Sequence, residues 1–160
     1  MSAPLTAVVI VASNRAAAGV YADTTGPLIV EALRADGWTV SDPVVVPDGK
    51  PVAEAIRAAV DGGARAVLTT GGTGLTPTDR TPEATRPLLD RPVPGIAEAI
   101  RAHGIAQGVP TAMLSRGLAG VVGSALVVNL PGSTGGVRDG LEVVVPVLRH
   151  AVEQILGSDH

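Results

Sequence analysis

Hydrophobic and polar positions along this chain follow two alternating patterns. Almost unbroken apolar runs, rich in β-branched residues, occur at residues 5–12 (LTAVVIVA), 64–70 (ARAVLTT) and 125–130 (ALVVNL). Runs of this kind predict strands that are covered on both faces, as in a parallel sheet. Between them, residues 26–37 and 51–63 place apolar side chains at helical spacing. The chain is therefore predicted to alternate strands with helices.

Glycine and proline predict where several elements begin and end. Gly37 suits a C-terminal helix stop, and Pro43 interrupts the extended segment that follows. A helix start is predicted with Thr81 as the N-cap and Pro82 at the first helical position. Pro146 lies inside a helical pattern, so it is expected to kink or restart that helix.

The alternation of strands and helices predicts an α/β fold. Strand–helix–strand connections are right-handed crossovers, so they produce a mostly parallel sheet with helices on both faces, a three-layer sandwich. The 160 residues fit a single domain, which we assign to residues 1–160. Because 46% of the residues are hydrophobic and only 1% aromatic, the core is expected to consist of Val, Ala, Leu and Ile.

The composition argues against several classes of partner and site. A net charge of −3 and the absence of Phe leave neither a basic face nor stacking platforms for a nucleic acid. Without cysteine there are no disulfides, thiolate metal sites or cysteine nucleophiles. No apolar run is long enough to cross a membrane, and the N-terminus lacks the basic region of a secretion signal. We therefore expect a cytoplasmic protein with no membrane partner.

Three loops follow predicted strands and are expected to meet at one edge of the sheet. They are VVPDG (residues 45–49), TTGGTG (69–74) and NLPGSTGG (129–136). Ligands of open α/β sheets bind outside the carboxyl ends of the strands. The glycine loop is neither a GxxxxGK[ST] phosphate loop nor a GxGxxG fingerprint. Its N–H groups nevertheless suit phosphate oxygens, and the carboxylate of Asp79 suits Mg²⁺.

The order of these motifs resembles the MogA/MoaB family of molybdenum-cofactor synthesis proteins. The chain contains, in sequence, SNRAAAGVYADTTGP, VVPDG, TTGGTGLTPTDRTPEAT and MLSRGLAGVVGSALVVNLPGSTGGVRDGLE, so the resemblance covers essentially all of it. GGTG alone is a weak signal, whereas its combination with D-x-TPEAT, SR and LPGS is specific. The same module is similar to the G domain of gephyrin and, more distantly, to the molybdopterin-binding domain of MoeA proteins.

This resemblance implies molybdopterin adenylyltransferase activity. Family members use ATP and Mg²⁺ to adenylylate the terminal phosphate of molybdopterin, and pyrophosphate leaves. Such a transfer depends mainly on positioning and on stabilising charge at phosphate oxygens, for which glycine N–H groups, a metal and basic side chains are suitable. The resemblance also implies a homotrimer or hexamer and a MoeA-like molybdenum insertase as a partner.

The family's functional residues can be carried over by position. Asp48 and Asp79 match its two catalytic aspartates, which we also expect to bind Mg²⁺. Arg116 is the candidate phosphate clamp. The resemblance assigns ligand-binding roles to Ser13, Arg15, Gly71, Gly72, Thr73, Gly74, Glu83, Ser115, Arg116, Pro131, Gly132 and Ser133.

Two positions depart from the family pattern. The first loop often contains S-D-R, but this chain has Ser13-Asn14-Arg15, which removes one acceptor charge and with it the basis for a metal or pterin role at position 14. The LPGS segment is often followed by Pro, where this chain has Thr134 and two glycines. The second departure is expected to loosen the loop without removing its N–H donors.

These residues also have purely structural interpretations. Asp48 can serve as the turn residue of Pro-Asp-Gly, and Asp79 can accept backbone N–H groups or pair with Arg80. Arg15 and Arg116 can be surface cations. Helix-face or packing roles, and not ligand binding, are the favoured interpretation for His103, His150, Tyr21 and Trp38.

Two other functions remain open at this point. One is a non-catalytic molybdopterin-binding MoaB-like protein, since such members share the motifs. The other is an unrelated nucleotide-binding α/β domain that acquired a glycine loop independently. Tight pterin binding without pyrophosphate release would favour the first, and failure to bind molybdopterin would favour the second.

Overall fold

A computed structural model of the chain describes residues 5–20 and 22–158, so Tyr21 lies outside the described residues. Its strands are β1 (Thr6–Ala12), β2 (Thr39–Val40), β3 (Val44–Val46), β4 (Ala66–Thr70), β5 (Arg91–Pro92), β6 (Ala119–Val122) and β7 (Ala125–Leu130). Its helices are α1 (Asn14–Ala17), α2 (Thr25–Ala35), α3 (Lys50–Asp61), α4 (Thr81–Thr85), α5 (Pro94–Ala106) and α6 (Thr134–Ile155). Short 3₁₀ helices cover Arg86–Leu88 and Pro110–Leu114.

The strands form one sheet in the order β2-β1-β4-β7-β6-β5, and β3 pairs with β1 beyond the end of β2. Strands β1, β2, β3, β4 and β7 are parallel, whereas β6 pairs antiparallel with β7 and β5 antiparallel with β6. The predicted α/β class with a mostly parallel sheet is confirmed. The β6–β7 hairpin was not predicted, because β6 is only four residues long and contains a glycine.

Helices cover both faces of the sheet. Along β1, Ala7 and Val9 contact the core beneath α2, α5 and α6, whereas Ile10 and Ala12 contact the core beneath α3 and α4. Alternate side chains of a strand point to opposite faces, so a strand covered on both faces must be apolar throughout. None of the helices in the described part of the chain is long and apolar enough to cross a membrane.

Three boundary predictions can be compared with the structure. Gly37 follows α2 with a φ of 91°, which confirms it as the helix stop. Helix α6 continues through Pro146, so the predicted restart is wrong; the buried face formed by Val144, Leu148 and Val152 holds the helix together. Thr81 is the first residue of α4 and not its N-cap, because its hydroxyl donates to the Gly71 carbonyl at 2.9 Å.

Candidate functional site

A polar cavity of about 320 Å³ opens at the carboxyl edge of the sheet. We call it the first cavity. The ends of β1 and β4 form its floor, and the loops after β1, β3, β4 and β7 form its walls. The predicted site residues that line it are Ser13, Arg15, Asp48, Gly71, Gly72, Asp79 and Gly132. The expected meeting of the VVPDG, TTGGTG and NLPGSTGG loops is therefore observed.

The glycine loop brings its backbone against two carboxylates. Gly71 and Gly72 have φ angles of 91° and 70°, a region that favours glycine. A Cβ atom on Gly72 would lie 2.6 Å from Oδ1 of Asp48, and one on Gly74 would lie 2.8 Å from Oδ2 of Asp79. Side chains at these positions would displace the aspartates, so the glycines allow both carboxylates to lie beside the loop.

Backbone N–H groups orient both aspartates. Oδ1 of Asp48 accepts a hydrogen bond from the Arg80 N–H at 3.2 Å, which connects the VVPDG loop to the segment before α4. Oδ2 of Asp79 accepts from the Thr76 N–H at 3.0 Å within its own loop. The interpretation of Asp79 as a local acceptor is thus correct for one of its oxygens. It does not exclude a ligand role, because a carboxylate has about four acceptor positions.

The residues around Asp48 raise the pKa of its carboxyl above the ordinary value for an aspartate. Burial is the main cause, since it disfavours the charged form, and the negative charge of Asp79 adds to it. Hydrogen bonds from the N–H groups of Arg80 and Gly49 act in the opposite direction without cancelling the rise. Bringing two carboxylates together is unfavourable in the absence of a cation, which is the situation that a divalent metal relieves.

We expect the Asp79→Asn substitution to lower the pKa of Asp48 in metal-free protein, because it removes the neighbouring negative charge. The pKa of Asp48 is higher in the folded protein than in the unfolded chain. Its contribution to the free energy of unfolding is therefore fully present below the pKa of the unfolded chain, and it is lost as the pH rises through the pKa of the folded protein. Asp79→Asn therefore stabilises the metal-free protein at neutral pH. Titration of the carboxyl ¹³C resonance of Asp48 by NMR measures the shift, and an unchanged pKa would contradict the coupling.

The first cavity is rich in negative charge. Asp23, Asp48 and Asp79 line it, and Arg15 is the only cation among the lining residues that the structure describes. Oxygen donors from one or two carboxylates are the ligands that Mg²⁺ prefers, together with water and phosphate. The donor set of Asp48 and Asp79 therefore fits Mg²⁺.

An apolar second cavity of about 300 Å³ lies beside the first. Four of the predicted site residues line it, namely Gly74, Ser115, Pro131 and Ser133, together with Ile100, Leu114 and Asp139. Gly132 lies between the two cavities and packs so closely on Gly71 that a Cβ would be 3.2 Å from the Gly71 Cα. The NLPGSTGG loop thus contributes to both cavities.

Arg116 lies behind the glycine loop and lines neither cavity. Its guanidinium donates to the carbonyl of Gly74 at 2.8 Å and to that of Asp79 at 3.0 Å. It also forms a bidentate pair with the Glu83 carboxylate at 2.7 and 3.1 Å. This pair holds the pKa of Glu83 below its usual value. Buried Thr73 accepts from the Arg116 N–H through its carbonyl, so Arg116 fastens the loop at several points.

Sequence reasoning missed two asparagines that hold the site together. Oδ1 of Asn14 accepts from the Asp48 N–H at 2.9 Å, so the residue that departs from the S-D-R pattern contacts the backbone of a candidate catalytic residue. Buried Asn129 donates to the hydroxyls of Thr69 and Thr85 at 3.0 and 3.1 Å. A polar residue within the apolar run ALVVNL was the available signal, because buried polar groups require partners.

Ser13 is the N-cap of α1, and Arg15 lies within this helix. The hydroxyl of Ser13 accepts from the Ala16 N–H at 3.1 Å, so it caps this one-turn helix. Arg15 is exposed at the cavity wall. Both residues are therefore at the first cavity, as expected, and Ser13 has a structural role there as well.

Comparison with known proteins agrees with this geometry. Residues 8–150 match the family described as "Probable molybdopterin binding domain". The chain is 41% identical to a molybdenum cofactor biosynthesis bifunctional protein of Synechococcus elongatus over 96% of its own length and 48% of that protein. It thus spans about half the length of that relative.

Two further relatives are covered almost completely. A molybdopterin adenylyltransferase of Helicobacter pylori is 37% identical, with 94% of this chain and 87% of that protein covered. The structure of the molybdopterin biosynthesis Mog protein from Mycobacterium ulcerans is 48% identical and superimposes with a TM-score of 0.92, with 98% of this chain and 100% of that one covered. The chain therefore belongs to this family of probable molybdopterin-binding domains.

Proposed function

We propose that this protein is a molybdopterin adenylyltransferase of molybdenum cofactor biosynthesis. In the reaction, an oxygen of the terminal phosphate of molybdopterin attacks the α-phosphorus of ATP. A new phosphoanhydride bond forms as the bond between the α- and β-phosphates breaks, and pyrophosphate leaves. Two relatives named molybdopterin adenylyltransferase, of which this chain covers 87% and 90%, support the choice of activity.

The observation that carries the proposal is the placement of Asp48, Asp79 and the Gly71-Gly72 backbone around one polar cavity beside an apolar one. Both substrates combine phosphate groups with a flat heterocycle. The first cavity suits the reacting phosphates, and the second suits one of the heterocycles, because its walls are apolar with few polar groups. Gly132 allows the two cavities to lie close together.

The charges of the first cavity make the proposed reaction dependent on a divalent cation. Three carboxylates against one arginine repel a triphosphate. Bound Mg²⁺ would supply positive charge to the phosphate oxygens, with Asp48 and Asp79 as its protein ligands. The chain itself would contribute orientation, because the glycine loop lets phosphates approach its backbone and Arg15 would provide the cation at the wall. The Gly71 N–H is not available for this, since it donates to the Leu130 carbonyl at 3.3 Å.

In this proposal Arg116 acts as a positioning residue and not as a phosphate clamp. Its guanidinium already donates to two loop carbonyls and to Glu83. Releasing it toward a phosphate would cost these charge-assisted bonds. Glu83 and Arg116 therefore serve the site by fixing the segment that carries Asp79.

Three wider parts of the proposal rest on the family resemblance. They are a homotrimeric or hexameric assembly, a cytoplasmic location, and transfer of the product to a MoeA-like molybdenum insertase. Sedimentation analysis of the purified chain counts its subunits, and a chain that remains monomeric would remove the assembly from the proposal.

The test is pyrophosphate release by the purified protein given ATP, Mg²⁺ and molybdopterin. We expect release that requires all three, because the pterin phosphate is the acceptor and the cation screens the carboxylates. Bound molybdopterin without release would replace the proposal with a non-catalytic binding protein. Absence of both binding and release would remove molybdopterin as the ligand of this chain and overturn the proposal.

A further inference from the structure

We propose that His103, Asp139 and Glu142 form a second metal site, which binds a divalent metal ion such as Zn²⁺. One imidazole nitrogen and two carboxylate oxygens from these residues all lie within 4.8 Å of one another. We call this group the α5–α6 site. It is separate from Asp48 and Asp79 in the first cavity, and it does not depend on the proposed function.

Two helices bring the three side chains together. His103 lies in the last turn of α5, and Asp139 and Glu142 are three residues apart on α6. Residues at this spacing share one face of a helix. The sequence pattern predicted only a helix-face role for His103, since its carboxylate neighbours come from a different part of the chain. The packing of α5 against α6 creates the cluster.

The charges of the cluster call for a cation. Nε2 of His103 lies 2.6 Å from Oε2 of Glu142, so the imidazole already pairs with one carboxylate. The side chain of half-buried Asp139 has neither a hydrogen bond nor an ion pair with any residue in the described ranges 5–20 and 22–158. Arg101 also lines the second cavity, but its Nη1 donates to the carbonyls of Ser115 and Gly117. Two like charges three residues apart on a helix repel, and an ion bound to both removes that repulsion.

The donor set indicates the class of metal. An imidazole with two carboxylates suits Zn²⁺, Co²⁺, Ni²⁺ or Mn²⁺, whereas Mg²⁺ and Ca²⁺ prefer oxygen donors alone. Metal–donor bonds of about 2.0–2.2 Å place donors roughly 3–4.4 Å apart, so His103 Nε2 and Glu142 Oε2, which lie 2.6 Å apart, must separate slightly to admit an ion. The Glu142 side chain, which is 60% exposed, is free to make this adjustment.

A bound ion would join α5 to α6 at the wall of the second cavity, because Asp139 lines that cavity. Three protein ligands leave a coordination position open to water or to a ligand in the cavity. The expected consequence is a more rigid second cavity and a higher melting temperature when the ion is present.

The experiment is a calorimetric titration of chelator-treated, full-length protein with Zn²⁺ in excess Mg²⁺. We expect one high-affinity zinc equivalent per chain, and titration with Co²⁺ should produce the visible absorption of a protein-bound ion. His103→Gln and Asp139→Asn should each weaken binding by more than about tenfold, since each removes a ligand. The melting temperature should rise with Zn²⁺ in the wild type and not in His103→Gln.

Two controls keep the result specific. His150→Gln makes the same chemical change on α6, outside the cluster, and the Asp48→Asn, Asp79→Asn double variant removes the two candidate Mg²⁺-binding carboxylates of the first cavity. Both should bind zinc as the wild type does. Asp139→Asn keeps the test valid if His103→Gln fails to fold, because Asp139 has no described partner to lose. Equal zinc binding by all variants would mean an adventitious ion only and would overturn the proposal, as would no binding by the wild type.

Discussion

Asp79→Asn protein is expected to lose pterin-dependent pyrophosphate release by about a hundredfold or more, the cost of removing a group that stabilises transition-state charge. The variant should retain its fold, because an asparagine oxygen can accept the hydrogen bond from the Thr76 N–H that Asp79 accepts at 3.0 Å. What it lacks is the negative charge that the proposed Mg²⁺ site requires. Steady-state measurement of pyrophosphate release with saturating ATP and pterin determines the loss.

Asp48→Asn should have a similar effect, and the double variant should lose little more than either single variant. Groups that act on one metal–phosphate unit are non-additive, because the first substitution already removes the function of the second. Asp61→Asn, at the exposed end of α3, is the matched control and should be fully active. Multiplicative losses for Asp48 and Asp79 would show that they act separately, and unchanged turnover would exclude them from the mechanism.

The fold could be predicted wherever burial alone determines an element. The runs that became β1, β4 and β7 are apolar because they are covered on both faces, and this property is visible in the sequence. The antiparallel edge of the sheet, formed by β5 and β6, could not be predicted in this way. Its two added strands are short, and they exist because each pairs antiparallel with a neighbour. Such pairing is a property of the tertiary structure.

The same distinction applies to the site. The meeting of the Asp48, Gly71 and Gly132 segments at one edge follows from the direction of parallel strands, so it could be predicted. The division into two cavities depends on the close packing of Gly132 on Gly71. The position of Arg116 depends on which acceptors lie near it, and here these are two loop carbonyls and Glu83. No local pattern contains that information.

Asn14 illustrates why a departure from a family pattern needs a structure for its interpretation. The sequence indicated a lost acceptor charge at this position. The structure shows that the amide oxygen accepts from the Asp48 N–H at 2.9 Å, a bond that either an amide or a carboxylate oxygen can accept. The substitution therefore keeps the support for Asp48 while leaving one negative charge fewer beside a cavity already lined by three aspartates.

Gly72→Ala is expected to reduce turnover by about a hundredfold, the typical effect of misplacing a reacting group by an ångström. The new Cβ would clash with the Thr81 hydroxyl and lie 2.6 Å from Oδ1 of Asp48. Both are ends of side chains, so they can move away. Asp48 then leaves its position in the first cavity, and Thr81 loses its bond to the Gly71 carbonyl, worth about 1 kcal/mol. Pyrophosphate release and urea unfolding measure the two effects.

Gly63→Ala separates the clash from the backbone conformation. Gly63 has a φ of 97°, and a Cβ there would meet nothing within 4 Å. Alanine at either position carries the cost of the left-handed conformation, about 1–2 kcal/mol, but only the Gly72 variant displaces Asp48. We therefore expect Gly63→Ala to be destabilised and fully active, and Gly72→Ala to be destabilised and about a hundredfold less active. Equal turnover in the two variants would mean that Asp48 keeps its position despite the added methyl group. The close approach of Gly72 to the Asp48 carboxylate would then matter only for stability. The proposed role of Asp48 would no longer depend on a glycine at position 72.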